Sequence, residues 1–159
     1  MLASVQADKP ASFRISDLLY WKDVMNNSIH LEDDSMCYAC GKKNEKGLHL
    51  TFAFSEKDKS VETKFMPSEA HQGWKGIVHG GIIATLMDEA MAKLVHFMGY
   101  HAVTASLDVR YKSVAKTLEA LTVRAEVSKV AKRLIYTKAI ASAGDGKVVA
   151  EASAKLMVY

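Results

Sequence analysis

His79, Gly80 and Gly81 form the first group whose residue types and spacing could support chemistry. The two glycines follow a histidine and precede a long apolar run, which indicates a helix N-terminus. The N–H groups of a first helical turn lack intrahelical acceptors and lie at the positive end of the helix dipole. Glycines let a carbonyl group of another molecule approach those N–H groups, as an oxyanion hole requires. The alternative is that both glycines only allow close packing of the helix.

Asp88 and Glu89 are adjacent carboxylates in the middle of the apolar run Ile82–Met98. Burial among apolar side chains disfavours the charged form of a carboxylate and suits a general base or a nucleophile. A salt bridge to an arginine of a covering strand is the alternative for Asp88. Glu89 has a nearer partner in Lys93, four residues further along the helix. We therefore assign the chemistry to Asp88 and a supporting or ion-pairing role to Glu89.

The spacing of His79 and Asp88 bears on how they can cooperate. Asp88 follows His79 by nine residues, which is roughly 13 Å along a helix axis at ~1.5 Å per residue. The two groups cannot readily meet within one chain. A shared site would combine the N–H donor of one subunit with the carboxylate of another across a symmetric interface. The spacing therefore predicts a homo-oligomer.

Cys37 and Cys40 are the third group, in the sequence Cys-Tyr-Ala-Cys followed by Gly41. One such pair supplies only half of a four-ligand zinc site. The pair is therefore a thiol pair in a turn, a metal site shared between subunits, or a redox pair. The sequence leaves these three interpretations open.

Composition limits the classes of protein that these groups can serve. The 159 residues suit a single domain with a sizeable core. A net charge of +3 without dense Lys/Arg blocks argues against a nucleic-acid partner, whereas the basic excess after Tyr100 suits a small anionic ligand. The longest apolar run is short for a membrane span and carries charges. The N-terminus shows no secretory pattern, so we expect a cytoplasmic protein that does not bind membranes.

Hydrophobic periodicity predicts the elements that must position these groups. An acidic extension, residues 1–36, contains one predicted helix, Ser16–Asn27. A first hairpin spans Leu48–Met66, and its first strand is Leu48–Phe54. A loop over residues 71–78 leads into the helix that begins after His79 and ends at Gly99. Four strands follow: Val103–Tyr111, Leu121–Val127, Leu134–Ala143 and Val148–Tyr159.

The order of these elements predicts the fold class. Short connections favour antiparallel neighbours, so we expect the last four strands to form a meander. Only the helix Ile82–Met98 has enough apolar surface to cover the sheet. The prediction is an α+β fold in which one curled antiparallel sheet surrounds one hydrophobic helix.

Three stretches of the sequence resemble hotdog-fold acyl-CoA thioesterases of the PaaI-like type. They are the helix segment His79–Met91, the strand Val103–Tyr111 and the upstream run Cys37–Leu48. The resemblance covers residues 37–159 and agrees with the predicted element order. It implies a hotdog domain over that range, preceded by the extension 1–36.

The resemblance also implies roles for the residues. Gly80 N–H would polarise a thioester carbonyl with His79 nearby, and Asp88 of the partner subunit would activate water or attack directly. Thr104 occupies the position where similar enzymes place a Ser or Thr that positions the water. The implied partners are an acyl-CoA substrate and a second copy of the chain, as a homodimer or a dimer of dimers. The implied reaction needs no metal and no cofactor.

The substrate contacts are assigned by similarity and by charge. Some relatives carry an Asn six residues before the histidine; that position is Gly73 here, so His71 or Gln72 becomes the substitute. The acyl group would run beside the helix that carries Gly81 and Glu89. The candidates for contact with the nucleotide phosphates, chosen by charge, are Lys112, Lys116, Lys132 or Arg133.

Two other functions remain open at this point, because one fold hosts several chemistries. The first is a hotdog dehydratase of hydroxyacyl thioesters, although the Phe-Pro-Gly-type stretch that follows the histidine of such enzymes is absent here. The second is a non-catalytic acyl-CoA sensor, although the chain lacks the separate DNA-binding domain that such sensors usually carry.

Overall fold

The computed structural model describes residues 31–159, and Glu32–Tyr159 form one compact unit. The predicted helix Ser16–Asn27 and most of the extension 1–36 lie outside the described residues. Within the described part of the chain, no helix has the length and apolar character needed to cross a membrane.

The long helix of the described residues, α1, spans Gly80–Phe97. His79 is its N-cap, and Gly99 adopts a left-handed φ of 88° just beyond its end. Its buried side chains recur at helical spacing: Ile83, Leu86, Met87, Ala90, Met91, Leu94 and Val95. The predicted bounds of this helix are confirmed.

A six-stranded antiparallel sheet surrounds α1. Its strands are β1 (Ala53–Ser55), β2 (Ser60–Phe65), β5 (Ala102–Tyr111), β6 (Leu121–Ala131), β7 (Leu134–Ala143) and β8 (Val148–Val158). Their order across the sheet is β1-β2-β6-β7-β8-β5. The helix α1 packs against β2, β5, β6, β7 and β8, and Phe97 of α1 stacks on Phe54 of β1. The predicted fold class, one antiparallel sheet around one hydrophobic helix, is confirmed.

The predicted four-stranded meander is wrong in one pairing. Strands β6, β7 and β8 are joined by hairpins, but β5 pairs with β8, while β6 pairs with β2. The connection over residues 112–120 is too long for a hairpin, and its backbone bonds elsewhere. Ala115 O accepts from Val78 N at 2.9 Å, and Thr117 N donates to Gly76 O at 3.1 Å. These bonds hold the connection against the segment that precedes α1.

The first predicted strand is also shorter than expected. The sequence predicts Leu48–Phe54, whereas β1 covers only Ala53–Ser55. Leu48 and Leu50 are buried, as their alternation predicts, but a left-handed φ of 52° at His49 interrupts the extended backbone. The backbone N–H groups of the two leucines bond to the preceding loop, so this segment forms no ladder with β2.

The predicted loop over residues 71–78 contains secondary structure. A short 3-10 helix (Glu69–His71) leads into β3 (Gln72–Trp74) and β4 (Ile77–Val78), which pair with each other. Gly76 makes the tight turn between them with a φ of 75°. Strands of two or three residues are too short to show a hydrophobic period, so the sequence pattern could not reveal them.

Candidate active site

The N-terminus of α1 has a distinct hydrogen-bond arrangement. Gly81 N–H donates to the Nδ1 atom of its own N-cap, His79, at 2.9 Å. The next two N–H groups, of Ile82 and Ile83, both donate to His79 O, at 3.0 and 3.4 Å. Gly80 N–H has no acceptor among the described residues. The first turn therefore leaves one N–H donor available to a ligand, and that donor belongs to Gly80.

The same arrangement fixes the tautomer of a neutral His79. Because Nδ1 accepts the Gly81 N–H, the ring proton of the neutral form must lie on Nε2. The backbone of His79 is held by its N–H bond to His71 O at 2.8 Å. Gly73 lies against the ring, since a Cβ at that position would be 3.2 Å from His79 Cδ2. His79 can thus present a second N–H donor next to Gly80.

Tyr111, at the end of β5, holds the same turn from its other side. Its hydroxyl donates to Gly80 O at 2.7 Å. A Cβ on Gly80 would lie 3.2 Å from the Cζ and Oη atoms of Tyr111. Close packing was the alternative explanation for the glycine pair. It does favour glycine at position 80, because a side chain there would crowd Tyr111. The free N–H of Gly80 is a separate feature.

Asp88 lies in the middle of α1 and meets the start of β5. Thr104 Oγ1 donates to Asp88 Oδ1 at 2.8 Å. Both side chains are half-buried in the single chain, so Asp88 is less buried than the apolar helix sequence suggests. No cationic side chain of the described residues pairs with Asp88; its partner is the Thr104 hydroxyl instead of the arginine considered above.

Gly80 and Asp88 are separated on one uninterrupted helix. Eight residues correspond to about 12 Å along the axis. One chain therefore carries a hydrogen-bond donor at the start of α1 and an oriented carboxylate more than two turns away. Each is half of what an acyl-transfer site needs.

Comparison with known proteins matches part of the chain to one family. Residues 75–150 match the family model described as the thioesterase superfamily. The human acyl-coenzyme A thioesterase THEM5 is 26% identical over 110 residues, which are 69% of this chain and 44% of that protein. The human acyl-coenzyme A thioesterase 13 is 34% identical over 86 residues, which are 52% of this chain and 61% of that protein. The chain thus spans about half the length of the curated relatives it matches.

A solved structure agrees with this match. The hypothetical thioesterase of Streptococcus pneumoniae TIGR4, crystallised with coenzyme A, superposes with a TM-score of 0.65 at 20% identity. The superposition covers 69% of this chain and 85% of that one. The described residues have the hotdog fold, and residues 75–150 match the thioesterase superfamily. The resemblance found in the sequence is confirmed.

Two predicted substrate contacts, His71 and Gln72, form hydrogen bonds with neighbouring residues of the chain. His71 Nδ1 accepts from Ser68 N–H at 2.9 Å, and the ring packs edge-on against Phe65. Gln72 Oε1 accepts from Gly76 N–H at 3.0 Å in the β3–β4 turn. The structure places both residues beside the helix N-terminus through the His71–His79 backbone bond, but it gives each side chain a partner of its own.

The predicted phosphate contacts do not form one cluster. Lys112 directly follows Tyr111, the last residue of β5, and its Nζ atom lies 3.0 Å from a carboxylate oxygen of Glu151. Arg133 lies at the other end of the sheet, where its Nε donates to Val158 O at 3.1 Å. The intervening strand β5 is about 30 Å long at ~3.3 Å per residue. Within one chain, Lys112 and Arg133 cannot contact the same phosphate. Lys116 is paired with Glu119 at 3.2 Å.

Glu89 pairs with Lys93 at 3.9 Å, as its spacing predicts, but it has a second contact that the sequence does not indicate. Cys37 Sγ lies 3.9 Å from Glu89 Oε2, and Cys40 Sγ belongs to the same cluster. Burial raises the pKa of Cys40 from 9.0 to about 12, together with the hydrogen bond that the thiol donates to Glu89 and the negative charge of that carboxylate. Burial lowers the pKa of Lys93, but the neighbouring Cys40 and Glu89 raise it by more. The pKa of Lys93 is therefore raised overall.

Sequence reasoning missed two features of this domain. The first is Tyr111, which ends an alternating strand and carries no signal of its contact with a helix that begins 31 residues earlier. The second is the approach of the two cysteines to Glu89, across 52 residues of sequence. Both depend on how the strand and the N-terminal loop pack on α1, which local patterns do not encode.

Proposed function

We propose that this domain hydrolyses acyl-CoA thioesters to a free acid and CoA. The observation that carries the proposal is the unpaired Gly80 N–H next to His79. The same chain also presents the Asp88 carboxylate, which accepts a hydrogen bond from Thr104. The acyl-CoA substrate is taken from the names of the relatives THEM5 and acyl-coenzyme A thioesterase 13.

In the proposed reaction, the thioester carbonyl oxygen accepts the Gly80 N–H. The negative charge that develops on this oxygen is stabilised by the helix dipole and by the Nε2–H of His79. The two donors are fixed before substrate binds, because His79 is held by its own backbone bond and by Gly81. Little reorganisation is needed when the charge develops.

The carboxylate of Asp88 activates the attacking water. Thr104 occupies Oδ1, which leaves Oδ2 to accept a proton from water. The water oxygen bonds to the carbonyl carbon, the C–S bond breaks, and the CoA sulfur takes up a proton. Because Asp88 is about 12 Å from Gly80 along α1, it serves the Gly80 of a partner subunit in a homo-oligomer.

A substrate panel tests the activity itself. Acyl-CoA esters of increasing chain length are incubated with the protein, and released CoA is measured by thiol trapping. We expect turnover that falls by about 10²–10⁴-fold in Asp88→Asn. Formation of an enoyl-CoA from a hydroxyacyl-CoA would instead indicate the dehydratase, and binding of acyl-CoA without turnover would indicate the sensor. Undiminished hydrolysis in Asp88→Asn would refute the assigned base.

Mixed oligomers test the shared site. Gly80→Pro removes the N–H donor, and Asp88→Asn removes the base. If each site uses both subunits, dimers exchanged from equal amounts of the two inactive variants should recover roughly a quarter of the wild-type sites. If both groups of a site came from one chain, no activity would return.

The cytoplasmic location expected from the sequence stays a prediction.

A further inference from the structure

Two thiols and one carboxylate converge beside α1, outside the proposed reaction site. The Sγ atoms of Cys37 and Cys40 and a carboxylate oxygen of Glu89 all lie within 4.8 Å of one another. Zinc–sulfur bonds of ~2.3 Å in a tetrahedral site place two sulfur ligands about 3.8 Å apart. The three donor atoms are therefore near the separations that one ion would impose, and small side-chain rotations would close the remaining gap.

The turn that carries the cysteines is sterically specified. Gly41 N–H donates to Cys37 O at 2.8 Å and closes the turn. A Cβ at Gly41 would lie 2.5 Å from the backbone N and O of Cys37 and from Ser35 O. No residue other than glycine fits this position without moving the backbone. The two thiols are consequently presented by a tight turn of fixed geometry.

Backbone hydrogen bonds connect the middle of the same turn to the rest of the domain. Tyr38 O accepts from Leu48 N–H at 2.8 Å, and Ala39 O accepts from Leu50 N–H at 2.9 Å. Ala39, Leu48 and Leu50 belong to the buried core. The approach of the thiols to Glu89 is thus fixed by core packing and by backbone hydrogen bonds on both sides of the turn.

The charges of the cluster also fit a divalent cation. Glu89 and Lys93, 3.9 Å apart, balance each other when both thiols are protonated. With a divalent ion bound, two thiolates and one carboxylate are balanced by the ion and by Lys93. Binding therefore exchanges two thiol protons for one cation and leaves the net charge of this partly exposed cluster unchanged. Without Lys93, the cluster would carry one net negative charge both before and after binding.

We propose that Cys37, Cys40 and Glu89 bind one thiophilic divalent cation of the zinc type, with solvent as the fourth ligand. The ion joins the N-terminal loop to the middle of α1, where Glu89 directly follows Asp88. Its role is structural, since the ion links two segments of the fold that are 52 residues apart in sequence. The proposal does not depend on the thioesterase activity, and it replaces the bare thiol pair and the redox pair as interpretations of the Cys-Tyr-Ala-Cys sequence.

Cobalt and zinc binding by the reduced full-length chain test this site. The chain has two cysteines in total, so every cobalt–thiolate signal comes from this cluster. After removal of metal with a chelator, we expect one Co²⁺ per chain, with a thiolate-to-cobalt charge-transfer band and tetrahedral visible bands, and displacement by Zn²⁺. The Cys37→Ser/Cys40→Ser variant should lose the charge-transfer band. Glu89→Gln should weaken Zn²⁺ binding at least tenfold, whereas the control Glu45→Gln should not.

A second readout keeps the test decisive if a variant folds poorly. Zn²⁺ should raise the melting temperature of the wild-type chain by several degrees and leave that of the double serine variant unchanged. Native mass spectrometry should show a single added zinc. Failure of the reduced chain to bind either metal, unchanged affinity in Glu89→Gln, or recovery of a Cys37–Cys40 disulfide without metal would each overturn the proposal.

Discussion

Tyr111 and Gly80 are joined by a 2.7 Å hydrogen bond from the phenol to the first carbonyl of α1. The bond connects the end of β5 to the turn that presents the free Gly80 N–H. A side chain at the last residue of a strand thereby holds the proposed oxyanion donor in place. Tyr111 does not contact the reacting atoms in the proposed mechanism, so it is a positioning residue.

Tyr111→Phe should therefore reduce both stability and turnover. The loss of one hydrogen bond at a partly exposed site should cost about 0.5–1 kcal/mol in the free energy of unfolding, measured by urea denaturation. Turnover should fall several-fold with little change in KM. The control is Tyr100→Phe, since the described residues give the Tyr100 hydroxyl no partner. Equal effects of the two substitutions would contradict the positioning role.

Substitutions of Gly80 can separate its N–H from its lack of a side chain. Both Ala and Pro add a Cβ that crowds Tyr111, but only Pro removes the N–H. Proline suits the first helical position, and the His79 ψ of 133° suits a residue before proline. Relative to Gly80→Ala, Gly80→Pro should lose a further ~10²–10³-fold in kcat. Matching kinetics of the two variants would exclude Gly80 N–H as the oxyanion donor.

The Thr104–Asp88 bond can be tested by changing only the hydroxyl. Thr104→Val keeps the shape of the side chain and removes the donor, whereas Thr104→Ser keeps the donor. A hydrogen bond to a charged group is worth roughly 1.5 kcal/mol, so we expect about a tenfold loss of kcat/KM in Thr104→Val. Thr104→Ser should stay near the wild type. In an Asp88→Asn background the Thr104→Val effect should largely disappear, because the two residues act as one unit.

The N-cap interaction of His79 should be sensitive to a methyl group on Gly81. A Cβ there would lie 3.0 Å from His79 Nδ1, which would push the ring away from its Gly81 N–H partner. Gly81→Ala should therefore lower turnover, since the ring loses the bond that fixes its tautomer. Gly144→Ala is a matched control, because its Cβ would meet no atom closer than 3.9 Å. Turnover as high as that of the control would argue against this tautomer.

The raised pKa of Cys40 predicts pH-dependent behaviour of the metal-free chain. In the unfolded chain the thiol ionises near 9.0, whereas burial and Glu89 shift it to about 12 in the folded chain. Its contribution to stability is complete below pH 9 and should decline as the pH rises from there towards 12. Alkylation of Cys40, followed by mass spectrometry, should be slow at neutral pH and faster in Glu89→Gln. A Glu89→Gln rate no higher than that of Glu45→Gln would contradict the role of the carboxylate.

The elements of the fold were largely predictable, because their hydrophobic periods are local properties of the sequence. The helix bounds from Gly80 to Phe97 and the strands β6, β7 and β8 follow from such periods. The pairing of β5 with β8 was not predictable, since strand order depends on where the connection over residues 112–120 forms its bonds. The short strands β3 and β4 were not predictable either, because two or three residues are too few to show a hydrophobic period.

The sequence by itself determined the chemical groups of the site and their separation along one helix. Residue types and the fixed rise per residue were enough to place a donor at Gly80 and a carboxylate about 12 Å away at Asp88. Only the tertiary structure decided which N–H remains free, because the His79 side chain caps Gly81. It also brought Thr104 to Asp88, Tyr111 to Gly80 and the two cysteines to Glu89. These contacts join residues between 16 and 52 positions apart, and they form only when the strands and the N-terminal loop pack on the helix.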